Sequence, residues 1–183
     1  MTDERALDIA SLTDTGSVRS HNEDWCGEFG REDGQCLLVL ADGMGGHAGG
    51  ATASHLVVDT IGAAFERADG DPEALLAEAI AAANDAVYAT ASETPGLRGM
   101  GATTVTLLFA NDGRAWVAHV GDSRAYRLRD GALEQLTEDH SVVAELVRRG
   151  MLAAEDAEQH PRRNEILRSV GVEPKVEPEI RCF

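Results

Sequence analysis

The chain is short of positive charge. Sixteen Lys and Arg stand against 32 Asp and Glu, for a formal net charge of −16. No basic stripe is present to displace counterions from a phosphate backbone, which excludes nucleic acid as a partner and makes an anionic membrane surface a poor one. The acidic excess serves solubility instead. Cysteine is also scarce. Cys26, Cys36 and Cys182 are odd in number, widely spaced and without a C-x-x-C pair. That leaves neither a disulfide framework nor a thiolate metal site, and fits a reducing, cytoplasmic location. No apolar run approaches the roughly 18 residues that a membrane helix needs, and the opening MTDERALD is too charged for a signal peptide. Internal repeats, low-complexity tracts and linkers are absent as well. A chain of 183 residues, 43% apolar and 26% charged, is therefore expected to form one domain over 1–183 with a substantial core.

What is present begins with "CLLVLAD" (36–42), short and apolar between Gly34 and Gly43, as a buried strand should be. The apolar spacing of Leu56, Val57, Ile61, Ala64 and Phe65 predicts a helix over 51–68. Asp71 as N-cap and Pro72 at the first helical position open a second helix over 72–91, with Leu75, Leu76, Ala79, Ile80, Ala83 and Val87 along one face. The period then changes. Runs at 102–110, 114–120, 124–129 and 132–136, parted by Asn-Asp-Gly, Gly-Asp-Ser and Asp-Gly, predict an antiparallel meander. Helix is expected over 138–150 and 153–160, the latter stopped by Pro161, and a last helical turn or two over 164–171; the tail suggests a further strand. Helices paired around antiparallel strands give an α+β fold with helices packed on sheet faces.

The segment "LLVLADGMGGHAGG" (37–50) poses the chemical question, because an apolar run ends in a carboxylate and five glycines. Residues 43–48 match G-x-G-x-x-A, but a nucleotide cradle would set Asp42 against the pyrophosphate, and the nearest ribose-binding acid, Asp59, falls in a helical pattern. "GDSRA" (121–125) approaches the G-x-S-x-G nucleophile elbow, yet strand rather than helix follows it. Cys26 and Arg31 are spaced by four residues without a preceding apolar strand, which excludes a cysteine phosphatase. A metal site is left. Glu23, Asp24, Asp42 and Asp122 cluster at predicted strand ends, and carboxylate and carbonyl oxygens suit hard cations such as Mg²⁺ or Mn²⁺. Gly43 lets its carbonyl turn toward an ion, and two ions sharing a water can supply a nucleophile and clamp a phosphoryl group. Arg19 offers a planar fork for phosphate. Singly, each residue has a blander reading: Asp-Gly after a strand is usually a turn, His47 and His119 structural, Arg124 a surface arginine.

Jointly they do not. "DTGSVRSHNED" (14–24), "LADGMGGHAGG" (40–50), "GATTVTLL" (101–108), "AHVGDSRAYRLRDGALEQLTEDHS" (118–141) and "HPRRNEILRSVG" (160–171) resemble, in order and spacing, the bacterial PPM-type phosphatases, the metal-dependent type 2C protein serine/threonine phosphatases. The resemblance implies a sandwich of two antiparallel β-sheets flanked by α-helices. It implies hydrolysis of phosphoserine and phosphothreonine in proteins by a metal-activated water, with Mn²⁺ or Mg²⁺ as cofactor, two or three ions in the complete site. Asp42 would bridge two metals, the Gly43 carbonyl would bind one, and Asp122 would serve a third, weaker ion. Glu23 and Asp24 would hold metal waters, and Arg19 would bind the substrate phosphate. The partners implied are phosphorylated Ser/Thr proteins and an opposing Ser/Thr kinase. The stretch 142–170 resembles the family's flap. Met44 stands where some relatives carry a histidine proposed as leaving-group acid; His47 is an alternative, and that role stays unassigned. The resemblance also makes the domain C-terminally incomplete, short of strands and two further aspartates that relatives place beyond this point. Two readings follow: an active phosphatase, or a catalytically weak phosphatase-like module that binds phosphoproteins.

Overall fold

The computed structural model describes residues 7–183, except for the His47 side chain. Strand β1 (Asp24–Gly30) turns at 31–35 into β2 (Cys36–Met44), and helices α1 (His47–Arg67) and α2 (Pro72–Glu93) follow. Strands β3 (Gly101–Phe109) and β4 (Ala115–Val120) form a hairpin, as do β5 (Tyr126–Arg129) and β6 (Ala132–Gln135). Helix α3 (Val142–Arg148), a 3-10 turn (Ala154–Gln159) and strand β7 (Glu179–Cys182) complete the order. Among the described residues the strands make two antiparallel sheets: five strands in the order β1-β2-β3-β4-β7, and the β5-β6 pair. This is the expected α+β class. No helix among the described residues is long and apolar enough to cross a membrane.

Alternation along β2 sets the two sides of the large sheet. Leu37, Val39 and Ala41 are buried against α1 and α2, where they meet Val57, Val58, Ile61, Phe65, Leu76, Ile80 and Val87 in the main core. Each of the larger of these side chains contributes about 1.5–3 kcal/mol on burial. Leu38, Leu40 and Asp42 face the other way, the side on which Val105 and Val117 form a smaller cluster with Leu136. Asp71 caps α2 as expected, its carboxylate accepting from Ala74 N–H at 3.1 Å. The buried face of α2 also carries Asn84, whose amide accepts from Gly171 N–H (2.8 Å) and donates to the Glu173 carbonyl (3.1 Å). Arg31 caps the far end of α1, bonding the carbonyls of Phe65 and Ala68 and stacking on the Phe65 ring.

Four expectations are corrected. The predicted meander is two separate hairpins, because Gly121 (φ 107°) turns the chain out of the large sheet after β4. The helix expected over 138–150 starts only at Val142, with Ser141 as N-cap, its hydroxyl accepting from Ala144 N–H. The segment 153–160 is a 3-10 turn rather than an α-helix. Residues 164–171 make no helical turn; Ile166 bridges Ser141 and Val170 bridges Ala102, so this segment spends its hydrogen bonds on strand-like partners. In addition, α1 begins four residues earlier than its apolar spacing indicates, with Gly49 and Gly50 in its first turn.

Candidate metal and phosphate site

Asp24, Asp42 and Thr103 stand in one row across β1, β2 and β3: Asp24 is the register partner of Asp42, and Asp42 of Thr103. Directly opposed residues share a face, so both carboxyls project from the side away from the helices. They approach closely enough to hydrogen-bond to one another. Burial pushes the Asp42 carboxyl up to about 6; the Asp24 charge and hydrogen bond and the Asp122 charge add to this, and Arg19 opposes it. An acid so placed keeps its proton to higher pH than usual, and a cation beside it would relieve the repulsion once the proton is lost. Asp24 opens β1 and Asp122 follows β4, at strand ends as expected, but Asp42 lies two residues inside the end of β2, which corrects its placement as that strand's last residue.

Gly43 faces the helices, as the next residue along the strand must. Its N–H donates to the Glu23 carbonyl at 3.0 Å. A Cβ on it would lie 2.0 Å from the Gly50 carbonyl oxygen and 2.7 Å from that of Glu23, so only glycine lets the strand lie on the first turn of α1. Gly50 serves the same approach: a Cβ there would lie 3.0 Å from both Glu23 Oε1 and the Gly43 carbonyl oxygen. Those two oxygens therefore converge on one small space at the positive end of α1. Arg19 sits beside it, its guanidinium 3.9 Å from Glu23 Oε2 and 64% exposed. An open groove of about 500 Å³ is lined by Arg19, His21, Glu23 and Gly46, and a smaller one of about 250 Å³ by Asp14, Asp24, Asp42 and Ser123.

Asp122 follows the Gly121 turn. The Thr103 hydroxyl is 2.6 Å from that of Ser123, and a Cβ on Gly121 would lie 2.5 Å from Thr103 Cβ. Thr103, across the strand from Asp42, thus fixes the spacing between the row and the turn. Burial raises the Asp122 carboxyl and the Asp139 charge adds to this, while a hydrogen bond from the Asp122 backbone N–H and the Arg124 charge offset part of it. Arg124 grips Asp139 through two nitrogens at 2.6–3.1 Å. It is a surface arginine, as its local sequence suggests, held beside the site by this pair. Asp122, Arg124, Asp139 and Arg163 line a further groove of about 620 Å³ toward 157–164.

Sequence reasoning passed over Thr103 and Asp139. Polar threonines repeated through a strand as buried as "ATTVT" (102–106) were the available signal for the first; nothing local marks the second. It also passed over a cluster of His119, His140 and Glu179, whose ligating atoms lie within 4.8 Å of one another. Distance alone suits a cation there, but bonding does not. His140 Nδ1 accepts from Gly121 N–H at 3.2 Å, so the neutral ring keeps its proton on Nε2, the atom that faces Glu179. Metal-bound histidines show the reverse, their second nitrogen donating to an acceptor. Burial, with His119 and Arg168 nearby, pushes the His140 ring down to about 4, against the Glu179 carboxylate.

The row fits a hard divalent cation. Its donors are all oxygen, two of them carboxyls that meet on the open face, while the Glu23 and Gly43 oxygens converge by the first turn of α1. Comparisons with known proteins identify the family. The profile of the family described as protein phosphatase 2C matches residues 16–171. Serine/threonine phosphatase stp of Listeria monocytogenes serovar 1/2a is 42% identical over 170 residues, covering 90% of this chain and 67% of that protein. Serine/threonine protein phosphatase PstP of Mycobacterium tuberculosis is 43% identical over 169 residues, 90% of this chain and 31% of that protein. Among solved structures, serine/threonine phosphatase Stp1 from Staphylococcus aureus superposes with a TM-score of 0.87 at 37% identity, over 97% of this chain and 74% of that one. The catalytic domain of PstP in complex with two manganese ions gives 0.80 at 39% identity, over 95% and 70%. The motifs, the two antiparallel sheets and these likenesses agree over most of the sequence: the chain belongs to the protein phosphatase 2C family, the PPM-type serine/threonine phosphatases.

Proposed function

We propose that this protein, as a single phosphatase domain, hydrolyses phosphoserine and phosphothreonine in proteins, opposite a Ser/Thr kinase, at the row of acids on the open face of its large sheet. Asp42 and the Gly43 carbonyl hold Mn²⁺ or Mg²⁺, Glu23 and Asp24 orient the surrounding waters, and Asp122 serves a further ion. Arg19, exposed at the rim and anchored by Glu23, presents its guanidinium to the incoming phosphate. When bound, the ions acidify the attacking water and neutralise charge on the phosphoryl oxygens. The protein's own part is to hold two carboxyls in contact in a half-buried setting, so that a cation is drawn in to relieve them, and to fix their spacing to Asp122 through Thr103. The observation that carries the reading is the contact between Asp24 and Asp42.

The test is hydrolysis of p-nitrophenyl phosphate and of a phosphothreonine peptide by the purified chain, with Mn²⁺ and with chelator, beside Asp42→Asn. Turnover that needs the ion and falls at least a hundredfold in the variant is expected. A folded chain that binds the phosphopeptide without turnover would overturn the catalytic reading in favour of a binding module.

A further inference from the structure

We propose that His140 is a positioning residue for Asp122, holding the Gly121–Asp122 turn so that the carboxylate is aimed at the site; this rests on the reading of Asp122 as a metal ligand. The turn is where the chain leaves the large sheet, and Gly121 takes a φ of 107° there. His140 grips that one residue from both ends. Gly121 N–H donates to His140 Nδ1 at 3.2 Å, and His140 N–H donates to the Gly121 carbonyl at 2.9 Å. On the other side of Asp122, the Ser123 hydroxyl is tied to Thr103. Residues 121 and 123 are thus both moored, and the direction of the side chain between them follows.

His140 is itself held firmly. Its side chain is 2% exposed and stacks on His119, with ring centroids 4.6 Å apart at 20°. The His119 Nε2–H donates to the Glu138 carbonyl at 2.8 Å, and Leu167 N–H donates to the His140 carbonyl at 2.7 Å. His140 Nε2 faces Glu179 Oε2 at 3.6 Å and has no closer partner among the described residues. Two stacked rings therefore lock the segment 138–140 against the end of β4. A histidine kept only to fill volume would need none of this, and a leucine would do. A histidine kept as an acceptor at Nδ1 is replaceable by asparagine, whose amide oxygen reaches about the same place. It is not replaceable by glutamine, which reaches toward Nε2.

The test compares His140→Asn, His140→Gln and His140→Leu in the full chain. Mn²⁺ binding is read from the electron spin resonance of the free ion, and Gly121 amide exchange by NMR. Expected are an Asn variant within about twofold of wild type in both readouts, and Gln and Leu variants with the Asp122-dependent Mn²⁺ equivalent weakened tenfold or more and faster Gly121 exchange. Asp122→Asn should remove the same equivalent, so that adding His140→Gln to it changes nothing further. Equal Mn²⁺ binding in all three His140 variants, or additive losses in the double variant, would overturn the proposal. A wild-type chain that binds no Mn²⁺ would instead overturn the metal reading of Asp122, and with it the purpose assigned to His140; Gly121 exchange then reports whether the grip on the turn exists. If the Leu variant does not fold, the Asn and Gln pair decides.

Discussion

Replacing the central acid should strengthen the fold it disables. In the metal-free protein, burial and Asp24 push the Asp42 carboxyl from 3.8 up to about 6. A raised carboxyl binds its proton more tightly in the folded state, so its contribution is fully present below about pH 4 and is lost as pH rises through about 6. A rise of about 2 units at about 1.4 kcal/mol each caps the penalty near ~3 kcal/mol at pH 7.5. Solvent screening at a half-buried site brings it to about 1–2 kcal/mol. Asp42→Asn removes the charge and still offers an N–H to the Asp24 carboxylate. In chelator at pH 7.5 the variant should melt about 2–8 °C above wild type, taking about 2–4 °C per kcal/mol at this size. The gap should close near pH 4. Saturating Mn²⁺ should reverse it, since an ion at a hundred times its dissociation constant adds about 2.7 kcal/mol to the protein that binds it. Differential scanning calorimetry at two pH values with and without Mn²⁺ measures all three. An Asn variant melting at or below wild type in chelator at pH 7.5, or a gap unchanged at pH 4, would refute the account of two acids in mutual conflict.

Gly43→Ala should cost stability as well as activity, because the new methyl meets backbone atoms at 2.0 and 2.7 Å that cannot rotate away. Overpacking of about 1–3 kcal/mol and about 1 kcal/mol for the disturbed bond to Glu23 should appear in urea unfolding, and a loss under about 0.5 kcal/mol would contradict the close approach. Arg19→Ala should lower kcat/KM for a phosphopeptide about tenfold, the low end for a charge-assisted bond at an exposed side chain, with thermal stability unchanged. An equal kcat/KM in the two proteins would remove Arg19 from phosphate binding.

Much of this was legible in the chain because local chemistry and final structure agree there. Helix α2 announces itself through Asp71, Pro72 and one apolar stripe, and every residue of that stripe is buried. Strand β2 reads equally well from its apolar run. Strand β1 does not: Asp24, Gly27 and Gly30 are poor strand formers, and it exists because it pairs along its whole length with β2. Residues 164–171 have a helical spacing that is overridden by bonds to Ser141 and Ala102, which no local pattern encodes. The candidate site divides the same way. Asp42, Gly43, Glu23 and Asp24 stand in acidic and glycine-rich runs, so the sequence itself marks them as candidates. Thr103, Asp139 and His140 carry no such local mark and stand out only through the partners they meet in the fold.

Asp42 and Gly43 are consecutive residues with opposite duties, one facing the open side of the sheet and the other lying flat on α1. A strand has no intermediate setting between those two sides. Losing or gaining one residue within β2 would swing the carboxylate into an apolar core and turn the bare backbone outward, so no partial version of the site exists for a lineage to pass through. Length variation in this protein's descendants should therefore collect in the β1–β2 turn at 31–35 and the β3–β4 turn at 111–113, which can lengthen without moving the register. Strand β2 itself should evolve by substitution alone.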